Sequence, residues 1–174
     1  LGYEKEKLVY MKQIHSDLVH VVTDEDFNRP PTCDALVTNK KCVPLMVMVA
    51  DCSPVLLYDA KQKVVAAVHA GRAGAFQNIL KKTLALMTQE FGSRAEDVYA
   101  TIGASIGVCC YEVGDEIDKE AKALGLEYAM QKREERLYLD VNAILKNQLL
   151  ACGVANIEML ELCTCCNKGE LFSY

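Results

Sequence analysis

Residues 50–71 read ADCSPVLLYDAKQKVVAAVHAG, and this stretch decides the fold. Two apolar runs, 55–58 and 64–69, have the length and the β-forming residues typical of strands. The polar residues 61–63 separate them and have the character of a turn. The sequence therefore predicts two consecutive strands joined by a short connection.

The segment after this strand pair changes to helical periodicity. Gly71 and Gly74 end the second strand, and apolar residues over 75–91 recur at the spacing of a helix that Gly92 closes. The same criteria predict strands at 8–11, 18–22, 35–38, 45–50, 98–102 and 157–160, and helices at 112–124 and 139–151. We therefore expect a single mixed α/β (α+β) domain over residues 1–174, without an internal repeat or linker.

Length and charge limit the possible function classes. The chain has 174 residues, 51% of them hydrophobic, with 19 basic against 24 acidic residues and a net charge of −5. No dense Lys/Arg stripe with interleaved aromatic residues is present, which argues against a nucleic-acid partner. The longest apolar runs, such as 43–50, are too short to span a bilayer. The sequence also implies no obligate protein partner.

The nine cysteines indicate a reducing environment. An odd number cannot pair completely, and adjacent cysteines such as Cys109 and Cys110 are poorly suited to ordinary disulfides. Reduced thiols persist in the cytoplasm and behave as small hydrophobic groups when buried. No secretory signal is visible, although the chain begins at Leu1 rather than at Met. We therefore expect a cytoplasmic protein.

Two of the three histidines stand in short motifs that suggest metal binding. His15 lies between two predicted strands, Cys52 follows the predicted strand 45–50, and His69 ends the strand 64–69, which we expect to pair with it. Two imidazoles and one thiolate suffice for zinc, and catalytic zinc sites use three protein ligands and leave one position open. This set predicts an enzyme rather than a structural metal clip.

The neighbours of these residues extend the predicted site. Asp51 is placed to orient a ligand imidazole or to act as a base. Gly71 and Gly74 allow backbone N–H groups to approach an anion at a helix N-terminus, and Arg72 adds positive charge. The combination suits phosphate or a substrate that develops negative charge.

Simpler interpretations remain open for each residue taken alone. His15 is also consistent with a surface residue, Cys52 with a buried thiol, and His69 with a hydrogen-bonded core histidine. His20 stands in no motif and is expected to face outward from a strand. Cys163 and Cys166 have C-x-x-C spacing, but one such pair is a weak metal signal.

Five motifs in fixed order carry a resemblance to a known family. They are Gln13-Ile14-His15, Cys33-Asp34-Ala35-Leu36-Val37-Thr38, Ala50-Asp51-Cys52-Ser53-Pro54-Val55-Leu56-Leu57, Val68-His69-Ala70-Gly71 and Cys109-Cys110-Tyr111-Glu112-Val113-Gly114. Together with the ending Cys163-Thr164 through Leu171-Phe172-Ser173-Tyr174, they resemble the YfiH-like family, also described as the multicopper polyphenol oxidoreductase or laccase domain. The resemblance covers nearly the whole chain.

The resemblance implies a fold, a cofactor and a reaction. The family fold is a four-layer α/β/β/α arrangement. The residues that bind zinc in the family's active site correspond to His15, Cys52 and His69. Its activity is zinc-dependent phosphorolysis of adenosine, inosine, guanosine and methylthioadenosine, with deamination of adenosine. The partners implied are a purine nucleoside and phosphate. Cys52, Asp51 and His69 then carry catalysis, and Gln13, Gly71 and Arg72 contact substrate.

This sequence departs from the family pattern at the substrate side. The family usually has His-Ala-Gly-Trp-Arg-Gly, whereas Arg72 and Ala73 stand here in place of Trp-Arg. Gly103-Ala104 replaces the family's Gly-Pro, and the N-terminal strands and the final Arg-Arg of the family are absent from this sequence. The replacement of Trp-Arg bears on the aromatic wall, the anion contact and the choice of substrate that the resemblance implies.

Three hypotheses follow for function. A multicopper oxidase needs a large set of imidazoles, which three histidines cannot supply, so we reject the laccase interpretation. The first hypothesis is the zinc-dependent purine nucleoside phosphorylase and adenosine deaminase. The second is a metal-free cysteine hydrolase in which His15 or His69 activates Cys52, with peptidoglycan-precursor editing as a possible role. The third is a non-catalytic module that binds nucleosides or metal.

Overall fold

The computed structural model describes residues 4–174. Its strands are β1 (Val9–Tyr10), β2 (Val19–Val21), β3 (Ala35–Thr38), β4 (Leu45–Met46), β5 (Ser53–Asp59), β6 (Val64–Ala70), β7 (Val98–Ile102), β8 (Glu112–Val113), β9 (Met130–Arg133), β10 (Arg136–Leu139) and β11 (Asn156–Met159). Its α-helices are α1 (Arg72–Phe76), α2 (Ile79–Phe91), α3 (Asp115–Ala123) and α4 (Val141–Ala151). Short 3₁₀ turns cover Lys5–Lys7, Asp24–Phe27, Ala95–Asp97 and Glu127–Ala129.

A six-stranded sheet forms the centre of the structure, in the order β11-β7-β5-β6-β3-β2. The predicted strand pair is confirmed as β5 and β6, which run antiparallel with Ser53 opposite Ala70 and Pro54 opposite His69. The two outer pairs, β11 with β7 and β2 with β3, are parallel. The register of β5 on β6 brings the residue before β5 close to the end of β6.

The main core lies on one face of this sheet. Val55 and Leu57 of β5 and Val68 of β6 are buried there against side chains from all four helices, such as Leu80 of α2 and Leu145 of α4. A smaller cluster on the other face is formed by Val9, Met11, Val22, Cys33 and Leu36, beside the two-stranded sheet of β1 and β4. The mixed α/β class predicted from the sequence is confirmed.

The predicted strand over 45–50 is wrong in extent and in partner. Only Leu45–Met46 is extended as a strand, and it pairs with β1 in a sheet of its own. Cys52 therefore does not follow a strand that pairs with β6. It approaches His69 because it immediately precedes Ser53, which faces Ala70 across the β5–β6 register.

The helices are shorter than their periodicity suggests. The predicted helix 75–91 is two helices, because Asn78 adopts a left-handed backbone with φ of 61° between α1 and α2. Gly92, with φ of 70°, ends α2 as expected. Over residues 4–174, no helix combines the length and the apolar composition needed to cross a membrane.

The three-stranded sheet β8-β10-β9 was not predicted. Its strands are short and largely exposed, and the sequence of β9 and the following turn is dominated by charged residues. Side chains of this kind do not alternate between apolar and polar, so periodicity gives no signal. The helix expected over 112–124 begins only at Asp115, because Glu112 and Val113 form β8.

Replacing Asp59 by Ala should destabilise the β5–β6 connection. The Asp59 carboxylate is buried, and its Oδ1 accepts hydrogen bonds from the backbone N–H groups of Lys61 (2.8 Å) and Gln62 (3.0 Å). We expect the free energy of unfolding at pH 7 to fall by about 2 kcal/mol in Asp59→Ala. Urea unfolding measures this, and Asp24→Ala, at an exposed carboxylate, is the control.

The same substitution should lose its effect in acid. Burial alone would raise the pKa of Asp59, but the backbone N–H groups outweigh it and hold the pKa below its ordinary value. A group with a depressed pKa stabilises the fold above its unfolded pKa of about 4, and this contribution disappears as the pH falls through the folded pKa. An unchanged difference between wild type and Asp59→Ala at pH 3 would contradict the assignment.

Candidate metal centre

The three metal ligands expected from the sequence meet at one end of β5 and β6. The Cys52 Sγ atom and one ring nitrogen each of His15 and His69 lie within 4.8 Å of one another. His15 lies in the connection between β1 and β2, and its backbone is left-handed with φ of 58°. The structure therefore brings together residues that are 37 and 17 positions apart in sequence, the differences between 15, 52 and 69.

The ligand set is open on one side. His69 is 3% exposed, Cys52 is half-buried, and His15 is exposed. The two imidazole rings stand nearly perpendicular at 80°, with their centroids 4.8 Å apart. Three protein ligands around an accessible position form the arrangement that catalytic zinc sites use.

A buried carboxylate that the sequence analysis missed holds two of these ligands. Asp34 is fully buried, and its Oδ1 lies 2.8 Å from His69 Nδ1 and 3.0 Å from the His15 backbone N–H. Its Oδ2 accepts hydrogen bonds from the Ser16 backbone N–H (2.7 Å) and the Ser16 hydroxyl (2.6 Å). Asp34 thus fixes both the His69 ring and the loop that carries His15.

The charge of Asp34 fixes the tautomer of His69. Burial alone would raise the pKa of Asp34, but hydrogen bonds from Ser16, His69 and Ile14 outweigh it and hold the pKa below its ordinary value. An ionised carboxylate only accepts hydrogen bonds, so His69 Nδ1 must carry the proton. Burial lowers the pKa of His69, which keeps the ring neutral and leaves the Nε2 lone pair for a metal.

The carboxylate that contacts a ligand imidazole is therefore Asp34 rather than Asp51. The Asp51 Oδ1 accepts a hydrogen bond from the Thr164 hydroxyl (2.6 Å), and its Oδ2 accepts one from the Tyr174 backbone N–H (3.0 Å). These contacts hold the pKa of Asp51 below its ordinary value against the effect of burial. A role of Asp51 in proton transfer stays a prediction.

Gly71 allows the close packing of the ligands. A Cβ atom at this position would lie 3.0 Å from Cys52 Sγ and 3.2 Å from the His15 Cδ2 atom. Gly71 is the N-cap of α1, which has only five residues. The anion site expected from the sequence at this helix N-terminus is therefore followed by only one short turn of helix. The glycine contributes by leaving space beside Cys52 and His15.

Substituting Gly71 by Ala should weaken metal binding. The added methyl group must displace either the thiol or the imidazole by a few tenths of an ångström. We expect the zinc affinity to fall by about tenfold, which is the lower end of the effect of disturbing the residues around a metal ligand. Competition with a chromophoric chelator measures this affinity. Gly169→Ala is the matched control, because a Cβ there meets no atom within 4 Å. Equal affinities in the two variants would contradict the packing argument.

A cavity of about 260 Å³ opens beside the ligands. It is lined by Asp51, Cys52, Ser53, Ala70, Gly71, Arg72, Ile106, Tyr111, Val141 and Tyr174. Small-molecule pockets are usually about 300 to 1,000 Å³, so this one lies just below the range for small-molecule ligands. Tyr111, whose position in the motif 109–114 did not suggest a ligand contact, also lines the cavity, and burial raises the pKa of its hydroxyl.

Arg72 lines this cavity, but its side chain is already paired. Its Nη1 atom lies 2.9 Å from Glu120 Oε2, and its guanidinium stands 5.5 Å from the centre of the Phe76 ring. The Arg72 side chain is 31% exposed, and exposed ion pairs are weak. An anion from solution can therefore replace Glu120 as the partner of Arg72.

Gln13 is not among the residues that line the cavity, and its contact with substrate stays a prediction. Its Nε2 donates to the Met48 carbonyl (2.7 Å), and its Oε1 accepts from the Met48 backbone N–H (3.0 Å). Both ends of the amide are therefore used to attach the loop after β4 next to His15. His20, expected to face outward, is half-buried and lies 2.8 Å from Asp26 Oδ2.

Comparison with known proteins settles the family. The family model described as multi-copper polyphenol oxidoreductase laccase matches residues 1–174. The chain belongs to this laccase family. The resemblance inferred from the five motifs is thereby confirmed.

Relatives in this laccase family are named for nucleoside chemistry. A protein of Clostridium acetobutylicum named purine nucleoside phosphorylase is 39% identical over 167 residues, which cover 95% of this chain and 69% of that protein. A second one, from Corynebacterium glutamicum, is 38% identical over 176 residues, covering 100% of this chain and 71% of the relative.

Solved structures of the family share the fold. The hypothetical protein YfiH of Bacillus licheniformis matches with a TM-score of 0.91 at 28% identity, over 99% of this chain and 70% of that chain. YlmD from Geobacillus stearothermophilus matches with a TM-score of 0.88 at 27% identity, over 97% of this chain and 67% of that chain. The predicted YfiH-like fold is confirmed.

Proposed function

We propose that this protein is a zinc-dependent purine nucleoside phosphorylase that also deaminates adenosine. The observation that carries the proposal is the open set of His15, Cys52 and His69 at the edge of a cavity of about 260 Å³. The names of relatives at 38% and 39% identity support the phosphorylase assignment. Adenosine, inosine, guanosine and methylthioadenosine are the substrates expected from the family resemblance.

The donor set fits zinc. Two neutral imidazoles and one thiolate are ligands that zinc prefers, and Asp34 supplies the outer hydrogen bond typical of a zinc-bound histidine. The family's laccase description implies several copper ions, which require more imidazoles than the three histidines of this sequence. When bound, zinc would supply Lewis-acid polarisation of an oxygen of phosphate or water.

The residues that line the cavity have different roles in this proposal. In phosphorolysis, a phosphate oxygen bonds to the ribose anomeric carbon while the glycosidic bond breaks and the purine leaves with a proton. Arg72 is placed to bind phosphate by exchanging its contact with Glu120, and Tyr111 offers an aromatic wall for the purine. Asp51 borders the same space and is our candidate for proton transfer, in phosphorolysis and in the replacement of ammonia by water during deamination.

A metal-free cysteine hydrolase is less well supported. Such an enzyme needs Cys52 as a thiolate, but burial raises the pKa of its thiol, and the negative charges of Asp51 and Asp34 raise it further. Activated cysteines ordinarily lie in electropositive surroundings. Coordination to a metal deprotonates a thiol directly, so the same environment is compatible with a zinc ligand.

Turnover of adenosine with and without phosphate tests the proposed function. We expect adenine and ribose 1-phosphate only when phosphate is present, inosine in either case, and loss of both products in the His69→Ala variant. Products are separated by chromatography, and zinc is measured in the same samples. Turnover that resists chelators and is abolished by alkylation would favour the cysteine hydrolase, and zinc binding without product would favour a binding module.

The phosphate contact is tested by Arg72→Ala. We expect the KM for phosphate to rise about tenfold or more, as removal of one charged contact predicts, with zinc content unchanged. Arg136→Ala is the matched control, because Arg136 forms a similar exposed ion pair with Glu112 (3.1 Å) and lies outside the cavity lining. An unchanged KM for phosphate in Arg72→Ala would remove Arg72 from the proposal.

A further inference from the structure

A second group of metal-ligating atoms lies outside the site described above. The Sγ atoms of Cys109, Cys110, Cys163 and Cys166 all lie within 4.8 Å of one another. The Cys110 and Cys166 sulfur atoms are 3.4 Å apart, and those of Cys109 and Cys166 are 3.7 Å apart. All four are free thiols. We call these four residues the thiol cluster.

We propose that the thiol cluster binds a second zinc ion as a closed tetrathiolate site with a structural role. Tetrahedral coordination with Zn–S bonds of about 2.3 Å places the sulfur atoms about 3.8 Å apart. Two of the S–S separations in the thiol cluster, 3.4 and 3.7 Å, lie close to this edge length. Small side-chain rotations therefore suffice to enclose the ion.

The surrounding backbone supports thiolate ligands. The Gly107 N–H donates to Cys163 Sγ at 3.2 Å, a hydrogen bond that stabilises negative charge on sulfur. A Cβ atom at Gly107 would lie 3.1 Å from Cys109 Sγ, so the glycine gives the thiol cluster its space. Cys109 and Cys163 also line a separate cavity of about 430 Å³ that gives an ion access from solvent.

One of the two cysteine pairs has the sequence spacing that is common in structural zinc sites. Cys163 and Cys166 have the C-x-x-C spacing common in zinc sites, and the fold supplies the adjacent pair Cys109 and Cys110 from another loop. Binding converts four thiols to thiolates and releases four protons as the Zn²⁺ ion is taken up, so no oxidant or reductant is required.

A metal in the thiol cluster would stabilise one wall of the active-site cavity. Thr164, next to Cys163, donates its hydroxyl to Asp51 Oδ1 at 2.6 Å. Ile106, near the other pair of cysteines, donates its backbone N–H to the Asp51 carbonyl at 2.8 Å. Both segments that carry the thiol cluster therefore also hold Asp51.

Zinc stoichiometry tests this proposal. Protein is purified under reducing conditions with zinc supplied, and native mass spectrometry counts the bound ions. We expect two ions in the wild type, one in Cys110→Ser/Cys166→Ser and one in His69→Ala. The matched control Cys165→Ser, in the same loop but outside the thiol cluster, should retain two. One ion in the wild type, unchanged in the double variant, would overturn the proposal.

Cobalt(II) substitution of the wild type gives a second measurement that does not depend on a variant folding. Four thiolates produce much stronger sulfur-to-cobalt charge-transfer absorption than the single thiolate Cys52, so we expect the wild type to show a band much stronger than one thiolate gives. A wild-type band no stronger than one thiolate gives, or a disulfide between thiol-cluster residues in place of metal, would also overturn the proposal. Because both measurements count metal rather than product, they are independent of the proposed nucleoside chemistry.

Discussion

A Cys52→Ser protein is expected to keep its fold, lose zinc from the His15–Cys52–His69 site, and turn over adenosine about a thousandfold more slowly than the wild type. Serine has nearly the size of cysteine, so the half-buried position tolerates it. Its neutral hydroxyl is a poor replacement for the thiolate ligand. Several kcal/mol of Lewis-acid stabilisation correspond to about a thousandfold in rate.

Zinc content, circular dichroism and adenosine turnover measure this prediction together. Cys152→Ser is the matched control, because Cys152 is also a half-buried thiol but belongs to neither group of metal-ligating residues. We expect Cys152→Ser to match the wild type in zinc content and turnover. A Cys52→Ser protein with wild-type turnover would exclude Cys52 as a catalytic ligand and nucleophile alike.

An Asp34→Asn protein is expected to lose about 3 kcal/mol of stability and bind zinc 10- to 100-fold more weakly. Every partner of the Asp34 carboxylate donates a hydrogen bond, so the asparagine NH₂ group meets a donor in either orientation. Facing His69, it forces the ring proton from Nδ1 to Nε2 and blocks the ligand atom. Facing Ser16, it leaves that backbone N–H unpaired and opens the loop that carries His15.

Asp26→Asn provides the matched control for this experiment. Asp26 is also a buried carboxylate beside a histidine, with Oδ2 2.8 Å from His20 Nε2 and 2.6 Å from the Thr23 backbone N. It lies outside the metal-ligand groups, so we expect a loss of stability with unchanged zinc affinity. Urea unfolding and chelator competition measure the two quantities. If Asp34→Asn also left zinc affinity unchanged, the tautomer argument would be wrong.

The sequence contained enough information for the centre of the fold and for the grouping of His15, Cys52 and His69. The strand pair β5–β6 combines strong β-forming runs with a polar connection, a signal that depends only on neighbouring residues. His15, Cys52 and His69 were identifiable because histidine is scarce and because each stands in a short motif. Their meeting in space follows from the register of Ser53 on Ala70 and from the loop held by Asp34.

Other features depend on contacts that no local pattern encodes. The sequence Cys33-Asp34-Ala35 carries no signal that this aspartate is fully buried among five hydrogen-bond donors. Only the three-dimensional structure shows them. The thiol cluster combines residues separated by 56 positions along the chain, as for Cys110 and Cys166. The partner of Gln13 is the backbone of a residue 35 positions away, which no local pattern reveals.

The left-handed backbone at His15 and Asp51, with φ of 58° and 73°, has a consequence for metal exchange. Residues other than glycine adopt this conformation at a cost of order 1 kcal/mol or more each, so the surrounding structure must impose it. The hydrogen bonds to Asp34 do so at His15 without any metal. Most of the ordering entropy of the ligands is then lost during folding rather than on ion uptake. We therefore expect the metal-free protein to be preorganised for the proposed zinc ion, which could leave and return without unfolding the chain.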